Sequence, residues 1–302
     1  MIYTVTLNPA LDYIVQVDEL KTGQINRATE EQIFPGGKGI NVSMVLKNLG
    51  HDSVALGFVA GFTGNQLIRE LQQRGVRSDF ISVEGGMTRI NVKVKGKNET
   101  EINGVGPKVS SLAVQVLMIQ MERLKSGDML VLSGSIPNSI PADIYERLMK
   151  RLKGRGVDVV VDTTGPCLMD TLACEPFLIK PNHYELGELF GVSIETKQDA
   201  KIYAEKLQKM GAKNVLVSMA ADGAVLLDEY GMYHESEAPK GVVKNSVGAG
   251  DSMVAGFLAA YIETKDYKKA FEMGMSAGSA SAFSEYLATK EEIREVYQKN
   301  FC

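Results

Sequence analysis

The sequence predicts an α/β fold in which a mostly parallel sheet, covered by helices on both faces, carries a small β-sheet lid. Several short runs are rich in β-branched residues and almost continuously apolar, which is typical of strands buried on both faces. Segments with the apolar spacing of helices lie between these runs. Two further stretches alternate apolar and polar residues with no helix between them, and these stretches predict the lid.

Strands and helices alternate along the chain. Helical spacing is clearest over residues 40–49, 65–74 and 200–210. The predicted strands of the main sheet are IYTVTL (2–7), SVALGFV (53–59), DMLVLSG (128–134), VDVVVDT (157–163), FLIKPN (177–182) and NVLVSM (214–219). Such alternation indicates a parallel sheet between two helical layers. Since no linker or internal repeat interrupts the pattern, we expect one domain over residues 1–302.

The lid is predicted from about residues 12–34 and 87–104, as exposed antiparallel strands of a second small sheet. In the latter stretch one face carries Ile90, Val92 and Val94, and the other carries Arg89, Asn91, Lys93 and Lys95. The apolar face would be left uncovered in a single chain. Pairing two lids would bury this face and protect the strand edges, so we expect a homodimer formed through the lid.

Composition excludes several function classes. The net charge is −4, from 33 basic and 37 acidic residues, and no basic block stands out, which argues against a nucleic-acid partner. No apolar run approaches the roughly 18 residues of a membrane span, and the N-terminal stretch lacks the features of a signal peptide. Three cysteines without paired spacing favour a reducing cytoplasm over a disulfide framework.

Two glycine clusters open predicted helices: PGGKGINVS over residues 35–43 and NSVGAGDS over residues 245–252. The free N–H groups of a helix start make an anion site, at the sheet edge where α/β folds bind ligands. Neither cluster matches a P-loop, and Met253 stands where a dinucleotide fingerprint has its third glycine. Asp251 is therefore either the N-cap of its helix or an acid held beside an anion.

Together these motifs resemble the ribokinase-like, phosphofructokinase-B family of sugar kinases. TLNPALD (6–12), SGSIP (133–137), KPNHYEL (180–186) and VSMAADGA (217–224) fall in the order expected of that family, almost end to end. TLNPALD, Thr88-Arg89, TEING (100–104) and NSVGAGDS resemble the branch that acts on ketohexose phosphates. Asn245-Ser246-Val247 departs from the Asp-Thr pair of many relatives. The resemblance implies a ribokinase-like three-layer α/β/α sandwich with a β-lid.

The resemblance also implies a reaction, the ATP-dependent phosphorylation of fructose 1-phosphate to fructose 1,6-bisphosphate. Asp251 would be the general base, and the backbone N–H groups of Gly248, Ala249 and Gly250 would hold the charge that develops on the transferred phosphoryl group. Tagatose 6-phosphate and fructose 6-phosphate are the alternative substrates. A sugar-phosphate sensor that binds nucleotide without turnover is the alternative from another class, although a sensor would not need the base.

The resemblance assigns a sugar-phosphate site to Asp12, Gly36, Gly37, Lys38, Asn41, Arg89, Arg27 and Asn103. Asp12 and Asn41 would bind hydroxyls, and the guanidinium of Arg89 suits a phosphate through its bidentate fork. A turn formed by Asp12 after Asn8 and Pro9 is the structural alternative for that residue. For Arg27 the alternative is a solvated surface position.

The nucleotide site implied by the resemblance comprises Lys180, Asn182, Ser218, Met219, Ala220, Ala221, Asp222, Gly223, Gly248, Gly250, Ser276 and Gly278. Glu185 would help to organise Mg²⁺, with Asn182 beside it, because magnesium is usually held by one or two carboxylates and the substrate phosphates. A plain helix cap is the structural alternative for Asn182 and Glu185. For Ser276 and Gly278 the alternative is small-residue packing between helices.

Overall fold

A ten-stranded sheet forms the centre of the computed structural model, which describes residues 1–302. The strands of the whole chain are β1 (Ile2–Thr6), β2 (Ala10–Gln16), β3 (Glu30–Gly36), β4 (Ser53–Val59), β5 (Arg77–Ser78), β6 (Ile81–Ser82), β7 (Arg89–Lys95), β8 (Thr100–Asn103), β9 (Met129–Ser133), β10 (Asp158–Asp162), β11 (Leu178–Ile179), β12 (Asn214–Ser218), β13 (Ala224–Leu227) and β14 (Tyr233–Ser236). The strand order in the main sheet is β14-β13-β12-β11-β10-β9-β1-β4-β5, with β6 also paired to β4. All neighbours are parallel except β12–β13 and β13–β14. The predicted, mostly parallel sheet is therefore confirmed.

Helices cover both faces of this sheet. They are α1 (Lys38–Leu49), α2 (Gly61–Gln73), α3 (Ser111–Gln120), α4 (Ile144–Leu152), α5 (Gly165–Leu172), α6 (His183–Phe190), α7 (Lys197–Lys209), α8 (Ala249–Thr264), α9 (Tyr267–Phe283) and α10 (Lys290–Phe301). Residues along the strands alternate between two apolar cores: Val131 packs with α1 and α8–α10, whereas Leu130 and Leu132 pack with α3–α7. This alternation confirms the three-layer sandwich. None of the ten helices combines the length and apolar character that crossing a bilayer requires.

The second, four-stranded sheet has the order β3-β2-β7-β8. Its presence confirms the predicted small sheet, but the expectation of purely antiparallel strands is wrong, because β2 and β7 are parallel neighbours. Alternation of polar and apolar residues reports which face a side chain occupies and not the direction of the strand. The strands β2 and β7 both start close to the carboxyl edge of the main sheet, β2 after β1 and β7 after β6, and so run outward side by side.

Aromatic contacts tie this second sheet to the body of the molecule. Phe34 of β3 stacks on Tyr286, with ring centroids 4.1 Å apart. The hydroxyl of Tyr286 donates a hydrogen bond to the backbone carbonyl of Pro35 at 2.9 Å. These contacts hold the polar face of the sheet over the carboxyl ends of the parallel strands.

Candidate active site

A polar cavity of about 640 Å³ lies between the carboxyl edge of the main sheet and the second sheet. Of its 22 lining residues only Val247 is apolar. The predicted site residues that line this cavity are Asp12, Gly37, Lys38, Asn41, Arg89, Lys180, Asn182, Glu185, Ser218, Gly248, Gly250 and Asp251. The fold thus brings most of the residues predicted from the sequence to one cavity.

Asp251 lies in the first turn of α8 and is 5% exposed. The N-cap position is Gly248, which has a left-handed φ of 80° and no side-chain cap. The carboxylate of Asp251 instead accepts a hydrogen bond from the side-chain amide of Asn41 at 2.8 Å. Of the two interpretations of this aspartate, the N-cap is therefore wrong, and the carboxylate faces the cavity.

Two lysines and a second buried aspartate surround Asp251. The ammonium groups of Lys38 and Lys180 lie 3.3 and 3.4 Å from Oδ1 of Asp162. Burial raises the pKa of Asp162, but Lys180 and Lys38 outweigh it and hold that pKa below its ordinary value. Burial, together with the negative charge of Asp162, raises the pKa of Asp251 to about 6. The cavity therefore keeps Asp251 ionised at pH 7 but close to the point of accepting a proton.

This raised pKa makes a prediction for stability. Because the pKa of Asp251 is raised from 3.8 to about 6, ionising its carboxyl at pH 7 costs the folded state free energy, about 3 kcal/mol. Stability conferred by the protonated carboxyl is lost as the pH rises from about 4 to 6. We expect Asp251→Asn, which keeps the acceptor for Asn41, to melt at a higher temperature than wild type at pH 7. The gain should vanish at pH 4, as measured by thermal melts without ligands.

Asp199 provides a control of opposite sign. Its carboxylate caps α7 and accepts hydrogen bonds from Thr196, and these bonds lower the pKa of Asp199. A depressed folded pKa stabilises the protein above about pH 4, so Asp199→Asn should lower the melting temperature at pH 7. Equal, pH-independent shifts in both variants would contradict the raised pKa of Asp251.

The glycine loop before α8 presents free backbone donors. The N–H groups of Gly248, Gly250 and Asp251 have no acceptor within the chain, whereas the N–H of Ala249 bonds the carbonyl of Ser246 at 3.3 Å. A Cβ on Gly250 would lie 3.1 Å from the ammonium of Lys180. The predicted contribution of Ala249 is therefore not supported, because its N–H closes the turn, and Asp251 supplies the third free N–H instead.

At the opposite end of the cavity, Asp12 lies on β2 and contacts β7. Its Oδ1 accepts from the amide of Asn91 at 2.9 Å, and its Oδ2 lies 3.2 Å from the ammonium of Lys93. The alternative of a turn-forming aspartate is wrong, because Asp12 is paired within a strand. A Cβ on Gly36 would come within 2.6 Å of Oδ1 of Asp12, which explains why a glycine stands there.

Arg89 is the cation at this end of the cavity. Its Nε donates to the backbone carbonyl of Asn8 at 3.1 Å, and no protein acceptor occupies its terminal nitrogens. Burial lowers the pKa of Arg89, partly offset by the charge of Asp12. The anchored Nε directs the terminal guanidinium nitrogens at the cavity, which is the arrangement that a bidentate phosphate contact needs.

Asn182 and Glu185 start α6 and line the cavity from the side of β11 and β12. They form a capping box: the Asn182 side chain accepts from the Glu185 backbone N–H, and Oε2 of Glu185 accepts from the Asn182 backbone N–H, each at 2.8 Å. The helix cap, which was the structural alternative for these two residues, is thus present. Oε1 of Glu185 remains without a protein partner. Both residues cap the helix and also border the cavity.

Several predicted site residues do not line the cavity. Arg27 is exposed in the loop beyond β2, and Asn103 is exposed on β8, so a single chain brings neither to the cavity. Met219 is 1% exposed because it packs in the core below β12. The other four predicted residues of this loop also lie outside the cavity lining. They form a short 3₁₀ turn, Ala220–Asp222, which ends at Gly223.

The prediction for Ser276 and Gly278 is also not supported. The hydroxyl of Ser276 donates to the carbonyl of Glu272 within α9. A Cβ on Gly278 would lie 3.1 Å from the carbonyl oxygen of Ala249. The small residues of α9 therefore serve its close packing against α8, which was the structural alternative.

The structure adds lining residues that sequence reasoning missed. Four side-chain atoms of the lining are buried without a hydrogen-bond partner in the chain: Oγ1 of Thr6, Oδ1 of Asn91, Oγ of Ser133 and Oδ2 of Asp162. Buried polar atoms are normally paired, so their concentration in one cavity points to a polar ligand. Thr6, Ser133 and Asp162 each end a strand of the parallel sheet, and polar residues at strand ends were the available signal.

Comparison with known proteins agrees with this geometry. The model of the pfkB family of carbohydrate kinases matches residues 5–294. The chain is 47% identical to a 1-phosphofructokinase of Bacillus subtilis, over 98% of this chain and 97% of that protein. It is 37% identical to a D-tagatose-1-phosphate kinase of Bacillus licheniformis, over 97% and 96% of the two chains.

A solved structure shows the same fold. Phosphofructokinase-2 of Escherichia coli in complex with fructose-6-phosphate superposes with a TM-score of 0.92, at 27% identity and over 99% of this chain and 98% of that one. The predicted ribokinase-like fold class is confirmed. The chain therefore belongs to the pfkB family of carbohydrate kinases.

Proposed function

We propose that this chain phosphorylates fructose 1-phosphate with ATP, giving fructose 1,6-bisphosphate. One observation carries the proposal: a single polar cavity has the Asp251 carboxylate beside free backbone N–H groups at one end, and Asp12 with the Arg89 guanidinium at the other. Kinases of this family use ATP as the phosphoryl donor. The 47%-identical relative from B. subtilis carries the name of this activity.

The proposed mechanism assigns one task to each end of the cavity. Arg89 binds the phosphate that the sugar already bears. Asp12 accepts hydrogen bonds from ring hydroxyls, and the amide of Asn41 donates to them. This fixes the terminal hydroxyl at Asp251, which takes its proton as the oxygen bonds to the transferred phosphoryl group and the bond between that group and the departing ADP breaks. The free N–H groups of Gly248 and Gly250, with the start of α8, stabilise the charge on that group. Lys38 and Lys180 add positive charge beside them.

The residues present also fit a magnesium ion. No group of three or more His, Cys, Asp or Glu side chains could form a protein cage for a metal. Oε1 of Glu185 and the buried Oδ2 of Asp162 are carboxylate oxygens without protein partners. This set suits Mg²⁺, which usually takes one or two carboxylates and completes its shell with phosphates and water. Bound there, Mg²⁺ would neutralise phosphate charge.

The experiment that tests this function is an ADP-release assay on a panel of sugars with Mg·ATP. The panel contains fructose 1-phosphate, tagatose 1-phosphate, fructose 6-phosphate, tagatose 6-phosphate and free fructose. The furanose forms of fructose 1-phosphate and fructose 6-phosphate present similar trans diols to Asp12, whereas tagatose presents a cis diol. The panel therefore separates recognition of the phosphate position from recognition of the diol.

The outcomes distinguish the candidates. At least a tenfold higher kcat/KM for fructose 1-phosphate, equivalent to about 1.4 kcal/mol, is the expected result. Preference for tagatose 1-phosphate would match the activity named for the B. licheniformis relative and would reassign the diol specificity. Preference for a 6-phosphate would overturn the proposed phosphate position. Nucleotide and sugar-phosphate binding without turnover of any sugar would favour the sensor.

We further propose a homodimer formed through the second sheet. On the sheet face opposite to Asp12, the residues Ile33, Tyr13, Val92 and Ile102 form a row across β3, β2, β7 and β8. Ile33 is 47% and Ile102 63% exposed in the single chain. An apolar row across a four-stranded sheet is a surface that a second copy of the same sheet would bury.

We expect wild type to be a dimer and Ile102→Lys to be a monomer, because the substitution places a charge in the apolar row. Light scattering coupled to gel filtration measures both masses. Ile202→Lys is the matched control, since Ile202 is an isoleucine of the body on α7 with similar exposure, 46%. A monomeric wild type would refute the dimer.

A cytoplasmic location is also inferred. Cys167, Cys174 and Cys302 are all free thiols. Unpaired thiols are typical of proteins from a reducing compartment.

A further inference from the structure

Lys93 is a buried cation that the proposed mechanism does not use. It lies on β7, on the same face as Arg89 and Asn91, and its side chain is 9% exposed. A buried ammonium group is costly unless it is paired and hydrogen-bonded. Its partners therefore indicate why the chain places a lysine at this position.

The partners of Lys93 are two carboxylates. Its ammonium nitrogen lies 3.2 Å from Oδ2 of Asp12 and 3.7 Å from Oε1 of Glu101 on β8. The neighbouring Asn91 donates to the other oxygen of Asp12 at 2.9 Å. The strand β7 thus supplies one donor to each oxygen of the Asp12 carboxylate, and this leaves the remaining lone pairs for ring hydroxyls.

Lys93 reaches the sugar site only through Asp12. It is absent from the lining of the main cavity and instead lines a small neighbouring cavity that shares Asp12, Asn41 and Val247 with it. Its ammonium lies beside the carboxylate that faces the sugar. A sugar phosphate is a dianion at neutral pH and would be repelled by Asp12 if that carboxylate were unpaired. A cation beside Asp12 offsets this repulsion.

We propose that Lys93 is a positioning residue that sets the affinity for the sugar phosphate by orienting Asp12 and compensating its charge. This inference rests on the proposed function, because it takes Asp12 as the ligand of the sugar. Lys93 pairs with Asp12 and Glu101 and makes no hydrogen bond or ion pair with the base Asp251. Its loss should therefore raise KM for the sugar phosphate without a matching effect on kcat.

The test is a double-mutant cycle between Lys93 and Asp12. Lys93→Met keeps the length of the apolar stem and removes the charge. We expect KM for fructose 1-phosphate to rise 10- to 100-fold, with kcat and KM for ATP within threefold of wild type. In the Asp12→Asn background the same substitution should change KM less than threefold, because its target is gone. Lys93→Arg should restore part of the affinity.

Two further variants guard against a merely structural effect. Lys95→Met removes a lysine from the same face of β7 and should leave KM unchanged, since Lys95 makes no contact with Asp12. Glu101→Gln removes the second partner of Lys93 and should have a small effect. If Lys93→Met fails to fold, the double variant Asp12→Asn/Lys93→Met removes both charges and is compared with Asp12→Asn alone.

The outcomes separate this inference from the proposed function. A wild type that turns over no sugar phosphate overturns both. If wild type is active and Lys93→Met has the same KM for fructose 1-phosphate as wild type, only the role of Lys93 is overturned. An equal KM increase for Lys93→Met in the wild-type and Asp12→Asn backgrounds would show that Lys93 acts independently of Asp12 and would also overturn it.

Discussion

Replacing Asp251 by asparagine is expected to lower kcat by about 10²–10⁴-fold, the usual contribution of a general base. Asparagine keeps the acceptor for the Asn41 amide, which bonds Asp251 at 2.8 Å, but it cannot take the proton of the attacking hydroxyl. Substrate affinity should change little, because Asp12, Arg89 and the free N–H groups of the glycine loop are untouched. The measurement is steady-state kinetics with Mg·ATP and fructose 1-phosphate.

The raised pKa makes this experiment sharper. Since ionised Asp251 costs the fold free energy at pH 7, the asparagine variant should be less active and more stable in the same sample. Damage to the fold would lower both quantities. A variant that melts above wild type and retains nearly native kcat would remove Asp251 from the role of base.

Asp199→Asn is the matched comparison for kinetics as well. Asp199 is also in the first turn of a helix, and it caps α7 through Thr196. Losing the hydrogen bonds of this cap should lower the melting temperature at pH 7 and leave kcat unchanged. The pair therefore distinguishes an acid that caps a helix from an acid that faces the cavity.

The sequence predicted six strands of the main sheet because they are bounded apolar runs, whereas the short β5 and β6 and the antiparallel β13 and β14 were not predicted. Strand β4 occupies residues 53–59, the run read from the sequence. The two stretches predicted for the lid, about 12–34 and 87–104, overlap all four strands of the second sheet, but the parallel pairing of β2 and β7 was missed. Alternation along a strand reports its faces, while direction depends on how the chain enters the sheet, which is a tertiary property.

The site was predicted well where a residue belongs to a motif and poorly where it acts alone. Asp251 and Asn41 belong to the two glycine clusters, and the fold joins them by a hydrogen bond. Asp162 ends a strand as a single acidic residue, so its pairing with two lysines became visible only in three dimensions.

Some errors came from features with two physical causes. Small residues along α9 allow either a ligand or a second helix to approach, and Gly278 is used for packing against α8. Arg27 was predicted as a phosphate ligand because arginine suits phosphate and this one lies within the predicted lid. It is exposed in the loop between β2 and β3 and does not line the cavity of its own chain.

Arg89 should produce the second large effect, on recognition of the sugar phosphate. Arg89→Met removes the cation assigned to the phosphate and should raise KM for fructose 1-phosphate by about 10²–10³-fold, since charge-assisted hydrogen bonds are worth about 1.5–3 kcal/mol each. Arg89→Lys keeps a charge but loses both the fork and the Nε anchor on Asn8, so an intermediate KM is expected. KM for ATP should stay within threefold.

Free fructose isolates the phosphate contact, because it bears no group for the guanidinium to bind. The weak turnover of free fructose should be nearly the same in wild type and Arg89→Met, so the preference for the phosphorylated sugar should collapse. Arg77→Met is the control, as Arg77 is exposed on β5 of the main sheet and pairs with Asp52. An equal loss on free fructose and fructose 1-phosphate would mean that Arg89 supports the second sheet through its bond to Asn8 and does not read the phosphate.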